Sequence, residues 1–555
     1  MTPCVLFEDE HLLVVNKPAG MNTHAPGPFA GEGIYDWLRH REPRWANLAI
    51  IHRLDKETSG VIIFGKTALA NRSLTEQFTQ RTVRKKYLLL TDRPVKQSEL
   101  VVKSKIVRVG ERYASGVRGD VAETRFGVPA SADPSNRLKA ELQTIEAEPR
   151  TGRTHQIRVH AAENGFPILG DTLYGGSTFS RVCLHAAEIT LRHPGNGEEM
   201  TFRSPADFAV DARQALREAV IDAQETNAFR LIHGASDGWP GWYVERLGDF
   251  LLSQSEQPLK SEQKEFLQQL MASAPSSGVP ASAGPSDRLK AELHPGAFHK
   301  ILNRPVRQAA LAATSPQHVL GESAPERFVI RENGVQLELS FNEGYSVGLF
   351  LDQRDNRRRF LTGHVAADFS LFNSKPETRN SKFQVLNTFA YTCGFSICAA
   401  KAGAQVTSLD LSKKYLEWGK RNFALNNLDP AGHDFIFGDA FDWLRRLAKK
   451  GRQFDAIVLD PPTFSQSKER GAFRVEKDFG KLVTVALPLL RPGGVLFAST
   501  NASAWPPESF LAGADEAIKS ARRKILQRHY VAQPPDFPVS RTEPAYLKTV
   551  WLRIG

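Results

Sequence analysis

The sequence predicts a multidomain chain. It has an α+β domain on an antiparallel or mixed sheet (residues 1–205), a small α+β middle domain (206–365) and a C-terminal Rossmann-like α/β domain (366–555). Three observations predict it. The 555 residues suffice for several domains of about 100–200 residues each. Short runs of alternating polarity (LLVVNKP, GVIIFGK, KKYLLL, HQIRVH, EITLRH) crowd the first part and stop at FRSPADF, and each reads as a strand. From Val385 onward strand-like and helix-like stretches alternate, with VLNTFAYTCGF, QVTSLDLS, FDAIVLDPP and GGVLFAST marking the strands of a parallel sheet.

Composition narrows the class. Hydrophobic residues make up 41% and charged residues 24%, with 33 Phe and 8 Trp. That supplies several apolar cores and excludes a largely disordered, collagen-like or coiled-coil chain. Cys4, Cys183, Cys393 and Cys398 are too few for a disulfide scaffold. No apolar run reaches the ~18 residues of a membrane span, and the start, MTPCVLFEDEHLLVV, lacks the basic segment of a signal peptide. The expectation is a soluble protein of a reducing compartment, the bacterial cytoplasm. Lys and Arg number 72 against 61 Asp and Glu, a net charge of +11. A surplus of that sign favours a polyanionic partner, because neutralising phosphates releases counterions.

Along the chain, GVPASADPSNRLKAEL (127–142) and GVPASAGPSDRLKAEL (278–293) agree at fourteen of sixteen positions, and the likeness does not extend into their flanks. A third segment, NSKPETRNSK (373–382), repeats NSK at both ends. These read as loop insertions, at about 128–142, 278–293 and 366–382, rather than as RNA-binding elements, since lengthening a surface loop costs little. The middle part carries the hairpin-like FRLIHGASDGWPGWYVERLGDFLLSQ and then a Gln- and Glu-rich helical stretch.

The densest chemistry lies in HRLDKETSG (52–60) and RTGRTHQIRVH (150–160). Asp55 sits at a strand–loop junction beside His52 and Arg53, where neighbouring positive charge can tune a carboxylate. Read as a strand, the second segment sends Thr154, Gln156 and Arg158 to one face and His155 and Ile157 to the other. A structural Asp–Arg pair beside a solvated basic strand would account for either segment alone.

Together with NKPAGM (16–21), RKKYLLL (84–90), PILGDTLYGG (167–176) and LHAAEITLRHP (184–194), these segments resemble the RluA-type pseudouridine synthases, in family order across nearly all of the first 205 residues. The resemblance implies isomerisation of uridine in RNA: the glycosidic bond breaks, the uracil rotates and a C–C bond forms. It implies no cofactor or metal for this domain. Asp55 would be the catalytic aspartate, as nucleophile at the sugar or as general base at the 2′ position. Tyr87 would stack on the uracil, Arg158 would hold the carboxylate and Arg53 would help displace the base, with Arg153 and His155 also facing RNA.

In the last part, a strand, a small-residue turn holding Gly394, a helix and a strand ending in Asp410 form a nucleotide-binding pattern. Asp439 in FGDAFDWL and Asp460 in VLDPPTF stand at further strand ends, where doubly wound folds bind ligands. An ordinary α/β domain with acidic strand ends is the plain alternative. With GYSVGLFLDQRDNR (344–357), LNTFAYTCGFS (386–396) and VLDPPTFSQSK (458–468), this half resembles the class I S-adenosylmethionine-dependent rRNA methyltransferases of the RlmI and RlmK group. The resemblance implies S-adenosylmethionine as cofactor. Asp410 would bind its ribose, Asp439 the adenine edge and Asp460 the methionine end or the target base. Asn387, Gly394, Gln353 and Arg354 would also line the cofactor site, and Phe464 would stack on a flipped base.

Carbon 5 of a pyrimidine needs a thiolate added at carbon 6 before it can attack a methyl sulfonium. The stretch GGVLFASTNASAW (493–505) holds no cysteine, and Cys393 and Cys398 fall in the cofactor turn and its helix. A nitrogen acceptor is therefore expected over cytosine 5, and the resemblance to the RlmK-like members implies guanine N7. The combined expectation is a bifunctional RNA-modifying enzyme acting on 23S rRNA, with no membrane or metal partner. The alternative is an active synthase whose methyltransferase half is catalytically idle and serves as an RNA platform.

Overall fold

The computed structural model describes residues 2–95, 97–128, 142–272, 296–302, 314–372, 382–467 and 471–555. Most of the three inserted stretches lies outside these residues. The chain divides into two compact units, one of Met1–Pro26, Gly33–Arg39 and Arg44–Asp222, the other of Gly27–Glu32, His40–Pro43 and Ala223–Gly555.

The first unit is built on eleven strands: β1 (Val5–Glu8), β2 (Leu12–Lys17), β3 (Ala49–Ile50), β4 (Ser59–Gly65), β5 (Arg84–Thr91), β6 (Glu99–Val109), β7 (Arg112–Ser115), β8 (Asp120–Gly127), β9 (Gln143–Pro149), β10 (Leu184–Arg192) and β11 (Glu199–Arg203). Their order is β1-β2-β4-β10-β5-β9-β8-β6-β7, with β11 on β10 and β3 on β4. Among the described strands only β4 and β10 run parallel, which makes the sheet mixed. Strand β4, SGVIIFG, is buried along its whole length, as expected of a continuous apolar run in a central position. Helix α1 spans Ile34–Arg41. Helix α2 (Ala68–Thr79) begins where the Thr67 hydroxyl accepts from Ala70 N, satisfying one of its orphan donors.

One expectation fails here. HQIRVH is not a strand: Gln156–Glu163 is an α-helix, α3, entered through His155 at φ 56°. Six consecutive residues, Gln156 to Ala161, are buried, so no polar face marks the helical period. Gln156 and His160 satisfy their polar atoms on β8, at Glu123 O, Thr124 Oγ1 and, for His160, also Ser104 on β6. Thr154, Gln156 and Arg158 therefore do not share a strand face.

In the second unit β12 (Ala228–His233), β13 (Trp242–Leu247), β14 (Phe250–Ser255), β15 (Gly296–Ile301) and β16 (Gln317–Gly321) form a five-stranded sheet in sequence order. Two hairpins follow, β17 (Phe328–Glu332) with β18 (Val335–Leu339) and β19 (His364–Ala366) with β20 (Phe369–Ser370). The main sheet comprises β21 (Gln384–Thr388), β22 (Gln405–Asp410), β23 (Asp434–Phe437), β24 (Phe454–Leu459), β27 (Leu490–Thr500), β28 (Ile525–Val531) and β29 (Lys548–Ile554), with a small hairpin of β25 (Phe464–Ser467) and β26 (Gly471–Arg474) after β24. Its order is β23-β22-β21-β24-β27-β29-β28. The first five strands are parallel and β29 runs antiparallel between β27 and β28.

The sheet order reverses between β21 and β24, and ligands of such folds bind at the carboxyl ends of the strands at that point. The helices are α4 (Ala212–Val220, in the first unit), α5 (Ser261–Ala272), α6 (Arg354–Thr362), α7 (Gly394–Lys401), α8 (Lys413–Leu425), α9 (Ala440–Lys449), α10 (Val475–Ala486) and α11 (Pro507–Ser520). The five-stranded sheet is tied to the segment between β28 and β29. Arg230 N donates to Asp536 at 3.0 Å, and the Glu543 carboxylate accepts from Tyr243 and from Ala235 N, both at 2.9 Å. Among the described residues no helix is long and apolar enough to cross a membrane.

Candidate active sites

In the first unit a cavity of about 620 Å³ is lined by the loop after β3, the end of α2, β5 and the loop from β9 into α3. It brings together Arg53, Asp55, Lys85, Tyr87, Arg150, Arg153, His155 and Arg158. The Asp55 carboxylate accepts no hydrogen bond from the described residues. Burial raises its pKa above the usual carboxylate range, against the lowering influence of His155, Arg158 and Lys17. Below it, Lys17 is fully buried and donates to the carbonyls of Met21 (2.7 Å), Pro18 (2.9 Å) and Lys56 (3.3 Å), which pins the Asp55 loop. That burial brings the Lys17 ammonium down to about 7.

Tyr87 stays a neutral phenol, its pKa raised by burial and by the charge of Asp55. His52 is neutral as well, lowered to about 3 by burial; its Nε2 accepts from Ile63 N at 3.1 Å and its ring stacks on Phe78. His52 is thus a structural member of its motif.

Arg158 does not fork onto Asp55. Its Nε and Nη2 donate to the two oxygens of Asp171 at 2.6 and 2.8 Å, both side chains being buried, and a third contact reaches Glu57 at 3.4 Å. It acts on Asp55 through its charge. The reason is geometric: on a helix, the side chain is aimed at the loop that carries Asp171 in PILGDTLYGG. Arg153 lies half-buried along β8, its Nε on Val121 O and its Nη1 3.6 Å from Asp120, and His155 Nδ1 is 2.8 Å from the Tyr174 hydroxyl. Arg53, Arg81 and Arg150 are exposed at the rim and form no ion pair among the described residues. Lys17, Lys85 and Asp171 stand inside the motifs NKPAGM, RKKYLLL and PILGDTLYGG, where no local pattern distinguishes them from their neighbours.

In the second unit Asp410 closes β22, and its two oxygens accept from Tyr391 N and Ser412 N, each at 2.8 Å. The turn it holds has few glycines, yet it is left-handed at three alternate residues: Phe389 (φ 56°), Tyr391 (φ 48°) and Cys393 (φ 66°). Each such residue costs about 1–3 kcal/mol, strain that clusters at ligand sites. Gly394 then starts α7 against Arg357, where an added Cβ would lie 3.1 Å from its Cδ. Asn387 is buried and donates to Ser396, so it braces the turn from behind.

Asp439 caps α9, one oxygen accepting from Phe441 N (3.0 Å) and Asp442 N (3.3 Å), while its other oxygen bonds no described residue. Asp460, after β24, accepts from Ser499 and from Gln353 Nε2. Burial and the nearby charge of Asp352 push it up to about 6. Phe464, four residues on, is 54% exposed. Arg354, expected at the cofactor, is instead committed elsewhere: its guanidinium forks onto buried Asp536 at 2.6 and 2.8 Å and is itself buried. All four cysteines are buried. Burial raises Cys393, Cys398 and Cys183 to about 12, so none of these is a thiolate at neutral pH.

Glu32, His40 and His529 bring three potential metal ligands within 4.8 Å. The Glu32 carboxylate already bonds the His40 ring and faces the Arg359 guanidinium at 3.8 Å, a charge that opposes a bound cation.

An open carboxylate in a cationic cavity on a mixed sheet, and acidic strand ends around the reversal point of a parallel sheet, give the chain two candidate active sites. Residues 11–163 match the RNA pseudouridylate synthase family and residues 299–553 the S-adenosylmethionine-dependent methyltransferase family. A ribosomal RNA large subunit methyltransferase of Deinococcus radiodurans is 31% identical over 449 residues, covering 77% of this chain and all of that protein. The ribosomal RNA large subunit methyltransferase I of Aeromonas salmonicida is 32% identical over 345 residues, 61% of this chain and 78% of that one. The ribosomal large subunit pseudouridine synthase C of Yersinia pestis is 37% identical over 221 residues, 37% of this chain and 67% of that one. The chain belongs to both families, with a pseudouridine synthase domain at its N-terminus and an S-adenosylmethionine-dependent methyltransferase domain at its C-terminus.

Proposed function

We propose that this protein modifies large-subunit (23S) rRNA in the cytoplasm at two bases, isomerising a uridine and methylating a guanine nitrogen, N7. The observation that carries the first activity is the Asp55 carboxylate, which accepts no hydrogen bond from the described residues and faces the same cavity as Tyr87. With the target base flipped out of its stack, Asp55 attacks the sugar or removes its 2′ proton. Tyr87 packs on the uracil, and the exposed Arg53, Arg81 and Arg150, with Arg153, hold phosphates at the rim. Arg158 keeps a positive charge beside the carboxylate while Asp171 fixes its direction.

The donor set of the second centre fits S-adenosylmethionine. Asp410 offers acceptors to the ribose hydroxyls, the free oxygen of Asp439 an acceptor to the adenine amine, and the turn 389–394 a backbone cradle. When bound, the cofactor supplies an electrophilic methyl group. Asp460 and Gln353 orient the groups at the transfer point and Phe464 stacks the flipped base. The absence of a thiolate at Cys393 and Cys398 supports a nitrogen acceptor, which needs in-line positioning and no covalent activation. We read residues 206–365 as a middle domain serving this centre, less 206–222, which fall in the first unit.

The test is nucleoside mass spectrometry on unmodified rRNA incubated with the protein, with and without S-adenosylmethionine. Pseudouridine in both samples and 7-methylguanosine only with the cofactor are expected. Pseudouridine alone would make the C-terminal half an RNA platform, and methylated cytosine would overturn the choice of base.

A further inference from the structure

Three basic residues, Arg84, Lys85 and Lys86, follow one another on β5, and only the middle one turns into the cavity. Arg84 pairs with Glu199 at 2.7 Å and Lys86 with Glu146 at 3.3 Å. Lys85 has no ion pair among the described residues. Among the same residues its Nζ has one partner, the Thr151 carbonyl, at 3.4 Å, which leaves two N–H donors unmatched there. It stands two residues before Tyr87 on the same strand, so both side chains project from one face into the cavity. A half-buried ammonium without a counter-charge is unfavourable for folding, and loss of solvent alone lowers this one to about 8. Nor does it serve Asp55, whose charged neighbours are His155, Arg158, Glu57 and Lys17.

We infer that Lys85 is a catalytic residue of the isomerisation, donating a hydrogen bond to a carbonyl oxygen of the uracil as it leaves the sugar. This inference rests on the pseudouridine synthase reading of the N-terminal site. In the reaction the C1′–N1 bond breaks and its electron pair goes to the base, giving a uracil anion with charge on N1, O2 and O4. The base turns, C5 bonds to C1′, the C5 proton leaves to a base and N1 takes up a proton. Lys85 stays protonated throughout and meets the charge that develops on the oxygen, where a preorganised donor is worth most. Phosphates have other partners, since the exposed rim arginines suit them better than a side chain beneath the surface. The base, lying against Tyr87, is the anion within reach of Lys85.

The test uses the full-length protein, in vitro transcribed large-subunit rRNA, and the variants Lys85→Met and Lys85→Arg. For Lys85→Met, kcat for pseudouridine falls about 10²–10³-fold, the loss typical of one such donor, while KM for the RNA stays within about threefold; Lys85→Arg recovers part of the loss. Substituting 5-fluorouridine, whose base leaves more readily, shrinks the Lys85→Met defect in consumption of the target nucleoside. A raised KM with unchanged kcat would make Lys85 a phosphate contact and overturn the inference, as would an equal defect on both nucleosides. Loss of melting cooperativity in Lys85→Met shifts the decision to Lys85→Arg and to the 5-fluorouridine ratio of that variant. No pseudouridine from the wild-type chain would instead sink the reading of the site itself.

Discussion

Replacing Asp171 by Asn isolates the guanidinium that α3 carries into the first active centre. Arg158 is 3% exposed and Asp171 1% exposed, with two short charge-assisted bonds between them. Removing one partner of such a buried pair costs about 3–5 kcal/mol, because the remaining charge is left without a counter-ion. Glu57, 44% exposed and 3.4 Å away, is a screened substitute. The amide keeps one acceptor, so a loss near ~3 kcal/mol is expected, and at about 2–4 °C per kcal/mol for a unit of this size the first unit's transition drops by roughly 6–12 °C. Scanning calorimetry of the full chain reads the drop, and hydrogen exchange locates it to α3. The double variant Asp171→Asn/Arg158→Met, with no buried charge, should recover most of the loss. A single variant melting within about 1 °C of wild type, with kcat for pseudouridine unchanged, would refute the claim that Asp171 holds Arg158.

Three further outcomes are expected. Asp55→Asn abolishes pseudouridine formation and leaves methyl transfer intact. Because burial raises the native pKa of Asp55, ionising it at neutral pH works against folding, so the variant melts higher than wild type at pH 7 and the gap closes in acid. The acid limb of wild-type pseudouridylation lies above the ordinary carboxylate range for the same reason, and a pH–rate profile checks both signs. Asp410→Ala weakens S-adenosylmethionine binding about tenfold or more, the worth of charge-assisted hydrogen bonds, as read by calorimetric titration with pseudouridine formation unchanged. Methyl transfer declines as pH falls through about 6, where Asp460 takes up its proton; Asp460→Asn shows no such limb in its residual activity.

Much of this was legible in the sequence where local pattern and burial agree. The run VIIFG declares a central strand because both of its faces are apolar, and the acidic ends of β22 and β24 follow from the strand–helix alternation. Other features depend on residues far apart in the chain. HQIRVH imitates a strand because α3 is buried on every side and its polar atoms are satisfied by β6 and β8. Arg354 looks like a cofactor ligand beside Gln353, but its partner Asp536 lies 182 positions away. The turn 389–394 looks poor in glycine, and no propensity foretells that Phe389, Tyr391 and Cys393 accept left-handed backbone. Lys85 is hidden between two basic neighbours that have glutamate partners.

The hairpin of β8 and β9 has a practical corollary. Its strands pair from Gly127 opposite Glu146 to Thr124 opposite Pro149, and Arg150 N then bonds Glu123 O at 2.9 Å. The register is therefore set on the active-site side of residues 129–141, and the entry into α3 keeps its place whatever sequence joins the strand tips. A peptide tag, fluorophore or crosslinker introduced between Gly127 and Gln143 is therefore expected to leave the pairing beside Asp55 and Arg158 in place.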